Sequence, residues 1–148
     1  MSYISNLIHF VWGTKDRQPT IGESWQERLY AYCGGILKNK KSKLLAIGGM
    51  PDHIHIYASL PSTVTLAEIA NALKSNSSRW IHENVDAQHR FAWQEGYGAF
   101  SVSKSMEQTV INYIANQAEH HRRQEFQFEF VKLLEKHGIA YDERYLWV

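Results

Sequence analysis

The reading of "GGMPDHIHIYASL" (residues 48–60) decides the fold of this chain. Successive side chains of a strand point to opposite faces of its sheet. Ile54, Ile56 and Ala58 therefore share one face, and His53, His55 and Tyr57 share the other. The isoleucines suit a helix-covered core, which leaves the two histidines on the open face of the sheet, roughly 6–7 Å apart. That spacing suits two ligands of one metal ion. It is also what two water-facing histidines would look like. By the same alternation Asp52 points away from His53 and is not assigned as a ligand. The preceding "KLLAIGGM" (43–50) reads as the partner strand, joined through Gly48–Pro51 in a hairpin.

Working outward, "YISNLIHFVWGT" (3–14) reads as a first strand, with Ile8, Phe10 and Trp12 alternating against Leu7, His9 and Val11. "ESWQERLYAYCGGILKNK" (23–40) carries Trp25, Leu29, Cys33 and Ile36 at helical spacing. Gly34 and Gly35 weaken that helix and suggest a close packing contact. Thr65–Glu68 is a capping box opening a helix with Leu66, Ile69, Leu73 and Trp80 on its apolar face. "FAWQEGYGAFSVS" (91–103) reads as a strand broken at Gly96 and Gly98. Ser105–Gln108 is a second capping box, opening a helix through residue 124. "FQFEFVKLLEKHG" (126–138) is a last helix ended by Gly138. The order β-α-β-β-α-β-α-α begins as a split βαβ, ferredoxin-like α+β arrangement: an antiparallel sheet with helices on one face, followed by C-terminal helices.

With 148 residues, 44% hydrophobic and 21% charged, the chain is expected to form one globular domain over 1–148. No apolar run reaches the ~20 residues of a membrane span. The N-terminus lacks a signal-peptide pattern, and the single Cys33 can form no internal disulfide; a reducing, cytoplasmic setting is expected. Cys33 is read as core rather than nucleophile. The net charge of +1 excludes a uniformly basic protein, yet residues 1–82 carry 9 Lys+Arg against 5 Asp+Glu, and residues 83–148 carry 7 against 10. A basic surface on the first part is compatible with a polyanionic ligand.

In the first of the two late helices, Tyr113 and Gln117 lie four residues apart, on one helical face. A tyrosine hydroxyl is a nucleophile when its proton is removed or its target is polarised, and an amide oxygen suits a hard divalent cation. Val110, Ile114 and Ala118 form an adjacent apolar stripe, so packing of Tyr113 and solvation of Gln117 is the plainer alternative.

These residues resemble a known family. His53-Ile54-His55 matches the histidine–hydrophobic–histidine motif of the HUH endonuclease superfamily. Tyr113-Ile114-Ala115-Asn116-Gln117 matches the tyrosine-x-x-x-glutamine motif of its small single-tyrosine transposases, found in bacterial insertion sequences and, as REP-associated tyrosine transposases, in bacterial chromosomes. "WQEGYGAFSVSKS" and "YIANQAEHHR" resemble flanking text of those proteins. The resemblance spans nearly the whole chain, and the two motifs, about sixty residues apart, are more specific together than alone.

The resemblance implies cleavage and rejoining of single-stranded DNA at hairpin-bearing element ends. Tyr113 would form a 5′-phosphotyrosine link, and His53, His55 and Gln117, all neutral ligands, would hold one Mg²⁺ or Mn²⁺. It further implies a homodimer in which the tyrosine helix of one subunit can complete the site of the other; an open sheet edge after the first strand is a candidate contact. DNA contacts are expected from Lys15, Arg17, Lys74, Arg79, Arg122 and Arg123, each otherwise a solvated charge. His121, one turn past Gln117, is a weaker candidate near the metal or phosphate. Two alternatives stay open: a domesticated relative that nicks chromosomal palindromes, and a non-catalytic ferredoxin-like nucleic-acid-binding domain with aromatic residues exposed on its sheet.

Overall fold

The computed structural model describes residues 1–121 and 125–148, and the side chains of all of these except His120 and His121. The candidates Arg122 and Arg123, and the side chain of His121, lie outside the described residues. Strand β1 (Leu7–Gly13) is buried at every position, as a central strand covered on both faces must be. It is followed by α1 (Gln26–Asn39), β2 (Lys43–Met50), β3 (His53–Ser59), α2 (Leu66–Asn84) and β4 (Gly98–Val102). The sheet order is β2-β3-β1-β4 with every neighbour antiparallel. This is the expected split βαβ order.

One sheet face packs on α1 and α2. Phe10 and Trp12 of β1, Ile54 and Ile56 of β3, Leu29 and Leu37 of α1, and Leu73 of α2 form the main core. The alternation of isoleucine and histidine along β3 is as expected, and Cys33 lies in this core. The other face is not open. Three further helices, α3 (Glu107–Ala115), α4 (Gln117–His121) and α5 (Phe126–Lys136), cover it. The reason is the remaining side chains of that face. Leu7 and Tyr57 pack with Ile114 of α3, and Val11 and Phe100 pack with Phe126, Phe130 and Leu134 of α5. Each large apolar side chain gains roughly 1.5–3 kcal/mol by leaving water, so this second layer is driven by the same force as the first. His53 and His55 are consequently fully buried between the two small clusters, which corrects the expectation that they stand exposed.

Four local expectations are corrected. Strand β1 is interior and the sheet edges are β2 and β4, so no open edge lies beside the first strand. The helix expected over 105–124 begins at Glu107, after a 3-10 turn at Lys104–Met106, and breaks at Asn116 between α3 and α4. Ser105 does not cap it, because Gln108 donates to Asn112 Oδ1 (2.9 Å) instead of reaching back, and Ser105 pairs with Ser103. By contrast Thr65 does cap α2, accepting from the Glu68 amide at 3.1 Å. Gly34 and Gly35 mark no close approach: a Cβ at Gly34 would make ordinary contact with Leu44, and one at Gly35 would meet nothing within 4 Å.

The glycine that matters for packing is Gly48 in β2. A Cβ there would lie 2.7 Å from the carbonyl oxygen of Ile114. Its bare backbone lets α3 approach the sheet closely, next to Tyr113.

Candidate functional site

β3 delivers His53 and His55 to the same face two residues apart, and each ring is held at Nδ1. His53 Nδ1 donates to Asp52 Oδ1 at 2.7 Å. Asp52 belongs to the turn before β3, so strand alternation does not govern it and its carboxylate folds back onto the histidine. This corrects the expectation that it points away. His55 Nδ1 lies 2.8 Å from His9 Nε2 of β1. These contacts at Nδ1 fix the orientation of both rings and turn each Nε2 inward.

Both Nε2 atoms point into one buried cluster. Gln117 Oε1, from the first residue of α4, lies 3.0 Å from His53 Nε2, and the Gln117 amide also donates to the Tyr113 carbonyl at 3.3 Å. Glu129, from α5, places Oε1 3.0 Å from His55 Nε2 and 3.3 Å from His53 Nε2. The Tyr113 hydroxyl donates to Glu129 Oε2. His53, His55, Gln117 and Glu129 are each at most 2 % exposed, while Tyr113 is only half-buried. The Phe126 ring stacks on His53 at 4.2 Å, nearly parallel, and fixes the imidazole plane.

The electrostatics follow from this packing. At Glu129 burial favours the neutral acid, but hydrogen bonds to His53 and His55 outweigh it and hold the carboxylate well below its usual range. Burial alone would lower the His53 pKa; the bonds to Asp52 and Glu129 raise it to about 9. Burial, with the His55 ring beside it, keeps His9 neutral. At Tyr113 burial and then the Glu129 charge push the hydroxyl pKa above its ordinary value.

The donor set fits a divalent cation. Ligand atoms of His53, His55 and Glu129 lie within 4.8 Å of one another, the Gln117 oxygen adjoins them, and both imidazoles carry an outer hydrogen bond of the kind that orients metal ligands. The sequence reading expected neutral ligands only, and a carboxylate stands among them. Glu129 carried a signal: it shares the buried face of α5 with Phe126, Phe130 and Leu134, where a charge needs a partner. The β1 alternation set His9 apart from Ile8, Phe10 and Trp12, yet nothing in the motif pointed to its contact with His55.

The structure thus brings together His53, His55, Tyr113 and Gln117 within one chain. It does not bring the basic candidates to them. Lys74 and Arg79 lie on α2, across the sheet. Lys74 donates to the carbonyls of Glu95 and Gly96 at 2.6 and 2.8 Å, and Arg79 bonds Asn76 at 2.5 Å. Arg17 stacks over Trp147 at 4.8 Å, and Lys15 is exposed beside it on the turn after β1.

Among solved structures, a protein of Deinococcus radiodurans R1 provisionally named a transposase is similar at TM-score 0.65 and 22% identity, covering 79% of this chain and 95% of that one. A REP-associated tyrosine transposase bound to a REP hairpin is similar at TM-score 0.63 and 14% identity, covering 82% of this chain and 72% of that one. No curated protein matches at a significant level. The sequence model described as Transposase IS200 like matches residues 2–117. With the shared fold and most of its length matched, the chain belongs to the IS200-like transposase family.

Proposed function

We propose that this transposase cleaves and rejoins single-stranded DNA at the ends of a mobile element, with Tyr113 as the nucleophile. The observation that carries this reading is the convergence of the Tyr113 hydroxyl, both histidine Nε2 atoms and the Gln117 oxygen in one water-poor cluster. Mg²⁺ or Mn²⁺ would be held by His53, His55 and Gln117, joined by Glu129, and when bound would polarise and orient the scissile phosphate. Asp52 and His9 hold the two imidazole rings in orientation, with Nε2 toward the cluster. Glu129 Oε2 accepts the Tyr113 hydroxyl hydrogen and aims that oxygen. The tyrosine oxygen forms a bond to phosphorus, the bond from phosphorus to the 3′-oxygen breaks, and a 5′-phosphotyrosine link and a 3′-hydroxyl result. The covalent link conserves the bond energy, so a second 3′-hydroxyl can reverse the step on another strand.

Hairpin ends are the expected substrate, a reading supported by the similarity to a transposase bound to a REP hairpin. The same similarity keeps a domesticated relative acting on chromosomal palindromes as the second reading. The non-catalytic alternative needs exposed sheet aromatics, whereas Tyr57 and Phe100 on the histidine face are 0 % and 2 % exposed. Tyr113 and Gln117 meet the histidines of their own chain, so the proposed homodimer does not have to exchange helices to build its sites.

The test is incubation with labelled hairpin DNA from the gene's own flanks and Mn²⁺, scored for a covalent adduct. The adduct should vanish in Tyr113→Phe with binding intact, and should vanish with chelator. An undiminished adduct in that variant removes Tyr113 from the mechanism.

A further inference from the structure

One approach to the buried cluster stays open. A cleft of about 530 Å³ lies between β4, α3 and α5, with Tyr113 and Glu129 in its wall. That volume falls in the range of ligand clefts, about 300–1,000 Å³. Its floor is apolar, from Phe100, Val110 and Leu133. The exposed His137 ring stacks on Phe100 at 4.6 Å and extends that aromatic surface outward. Its rim is cationic. Glu129, Lys132 and Lys136 follow one another at helical spacing on one face of α5, and both lysines are exposed.

We propose that this cleft receives the single strand adjoining the phosphate that Tyr113 attacks, with Lys132 and Lys136 on its phosphates and a base on the aromatic floor. The inference rests on the proposed strand-transfer activity and adds a substrate path that the family match does not describe, since the match ends at Gln117 and α5 lies beyond it. An apolar floor with a ring to stack on, bordered by cations that track a backbone, is the chemistry of single-strand binding. A duplex would present its phosphates outward and offer no base face to the floor.

Two variants separate the contributions. Lys132→Gln with Lys136→Gln removes the rim charges, and Thr109→Trp, an exposed position on the α3 wall, fills the cleft with the lysines in place. In a Tyr113→Phe background, anisotropy with a fluorescent oligothymidylate of about twelve nucleotides, read between about 50 and 200 mM salt, should show the log–log salt slope reduced by about 1.4 for the double lysine variant, about 0.7 for each lost phosphate contact. With Tyr113 present, adduct formation on a hairpin bearing a single-stranded extension should fall about tenfold or more in both variants, while affinity for the same hairpin without the extension stays unchanged. An unaltered salt slope, or full adduct formation by Thr109→Trp, overturns the inference. Failure of the unsubstituted protein to form any adduct refutes the proposed activity instead, and the oligothymidylate slope then judges the cleft alone.

Discussion

Replacing Gly48 by alanine tests how tightly the tyrosine helix is set against the sheet. Gly48 has no positive φ, so alanine fits its backbone conformation. In open space the change would stabilise by about 0.4–1 kcal/mol through the unfolded chain. Here the added Cβ would stand 2.7 Å from the Ile114 carbonyl oxygen, and ordinary contact starts at 3.4 Å. The helix must therefore retreat by about 0.7 Å. The obstacle is backbone, which cannot rotate aside as a side-chain tip can. Overpacking of this kind costs about 1–3 kcal/mol, so the net effect is destabilising, by up to about 2.5 kcal/mol. Tyr113 adjoins Ile114 on the same turn of α3 and moves with it, and Gln117, tied to the Tyr113 carbonyl across the break at Asn116, follows. The 3.0 Å contact of Gln117 with His53 then opens beyond hydrogen-bond length. A displacement near 1 Å costs on the order of 100-fold in rate, so single-turnover adduct formation should fall roughly ten- to a hundredfold. The assay is that rate at saturating Mn²⁺, paired with urea denaturation. A Gly48→Ala protein with unchanged stability and unchanged rate would refute the reasoning that close helix approach positions the nucleophile.

Gly35→Ala should do the opposite, stabilising by about 0.5–1 kcal/mol, read as a raised urea midpoint, because nothing occupies the space its methyl would enter. Asp52→Ala frees His53 Nδ1 and should weaken the Mn²⁺ dependence of cleavage about 10–100-fold, seen as a shifted metal titration with the maximal rate kept within reach at high Mn²⁺. Mixing Tyr113→Phe with a His53→Ala, His55→Ala protein should give no rescue of cleavage, since each chain brings its tyrosine to its own histidines; recovery after subunit exchange would show that α3 and α4 swap between protomers. Lys74 supplies a pH test. Burial lowers its pKa from 10.5 to about 8, so the unfolded chain holds the proton more tightly. The burial penalty is full below pH 8 and is relieved as pH rises through 8 towards 10.5. The urea midpoint of the unsubstituted protein should therefore rise relative to Lys74→Met between pH 7.5 and 9.5, and parallel curves would count against that shift.

The sheet and its order were legible because period-two patterns survive tertiary packing: Ile54 and Ile56 went one way and His53 and His55 the other, as strand geometry requires. The pairing of Tyr113 with Gln117 was legible for the matching reason, a four-residue spacing that persists even across the break at Asn116. Residues whose role depends on a partner distant in sequence were not. Glu129 meets His55 across 74 positions and His9 meets it across 46, and no local period encodes such a meeting. Asp52 was misread because a strand rule was applied one residue before the strand begins. The burial of the histidine face was missed although Leu7, Val11, Tyr57 and Phe100 all pointed to it, because the two late helices were read as carriers of the tyrosine rather than as a second layer. The box at Ser105 had the right letters, but Gln108 found a nearer partner in Asn112.

The cluster draws its parts from β1, β3, the α3–α4 junction and α5, so no single stretch of chain contains it. A ribosome that has released the sequence as far as Gln117 has delivered both motifs, yet the carboxylate that grips the tyrosine hydroxyl is still to be made. Loop closure of that length is slow relative to local helix formation, and α5 emerges after every other part of the cluster. The cluster is thereby kept unfinished while its earlier parts are being made: the motifs exist early, but the hydrogen bonds from His55 and Tyr113 to Glu129 can close only once α5 has emerged.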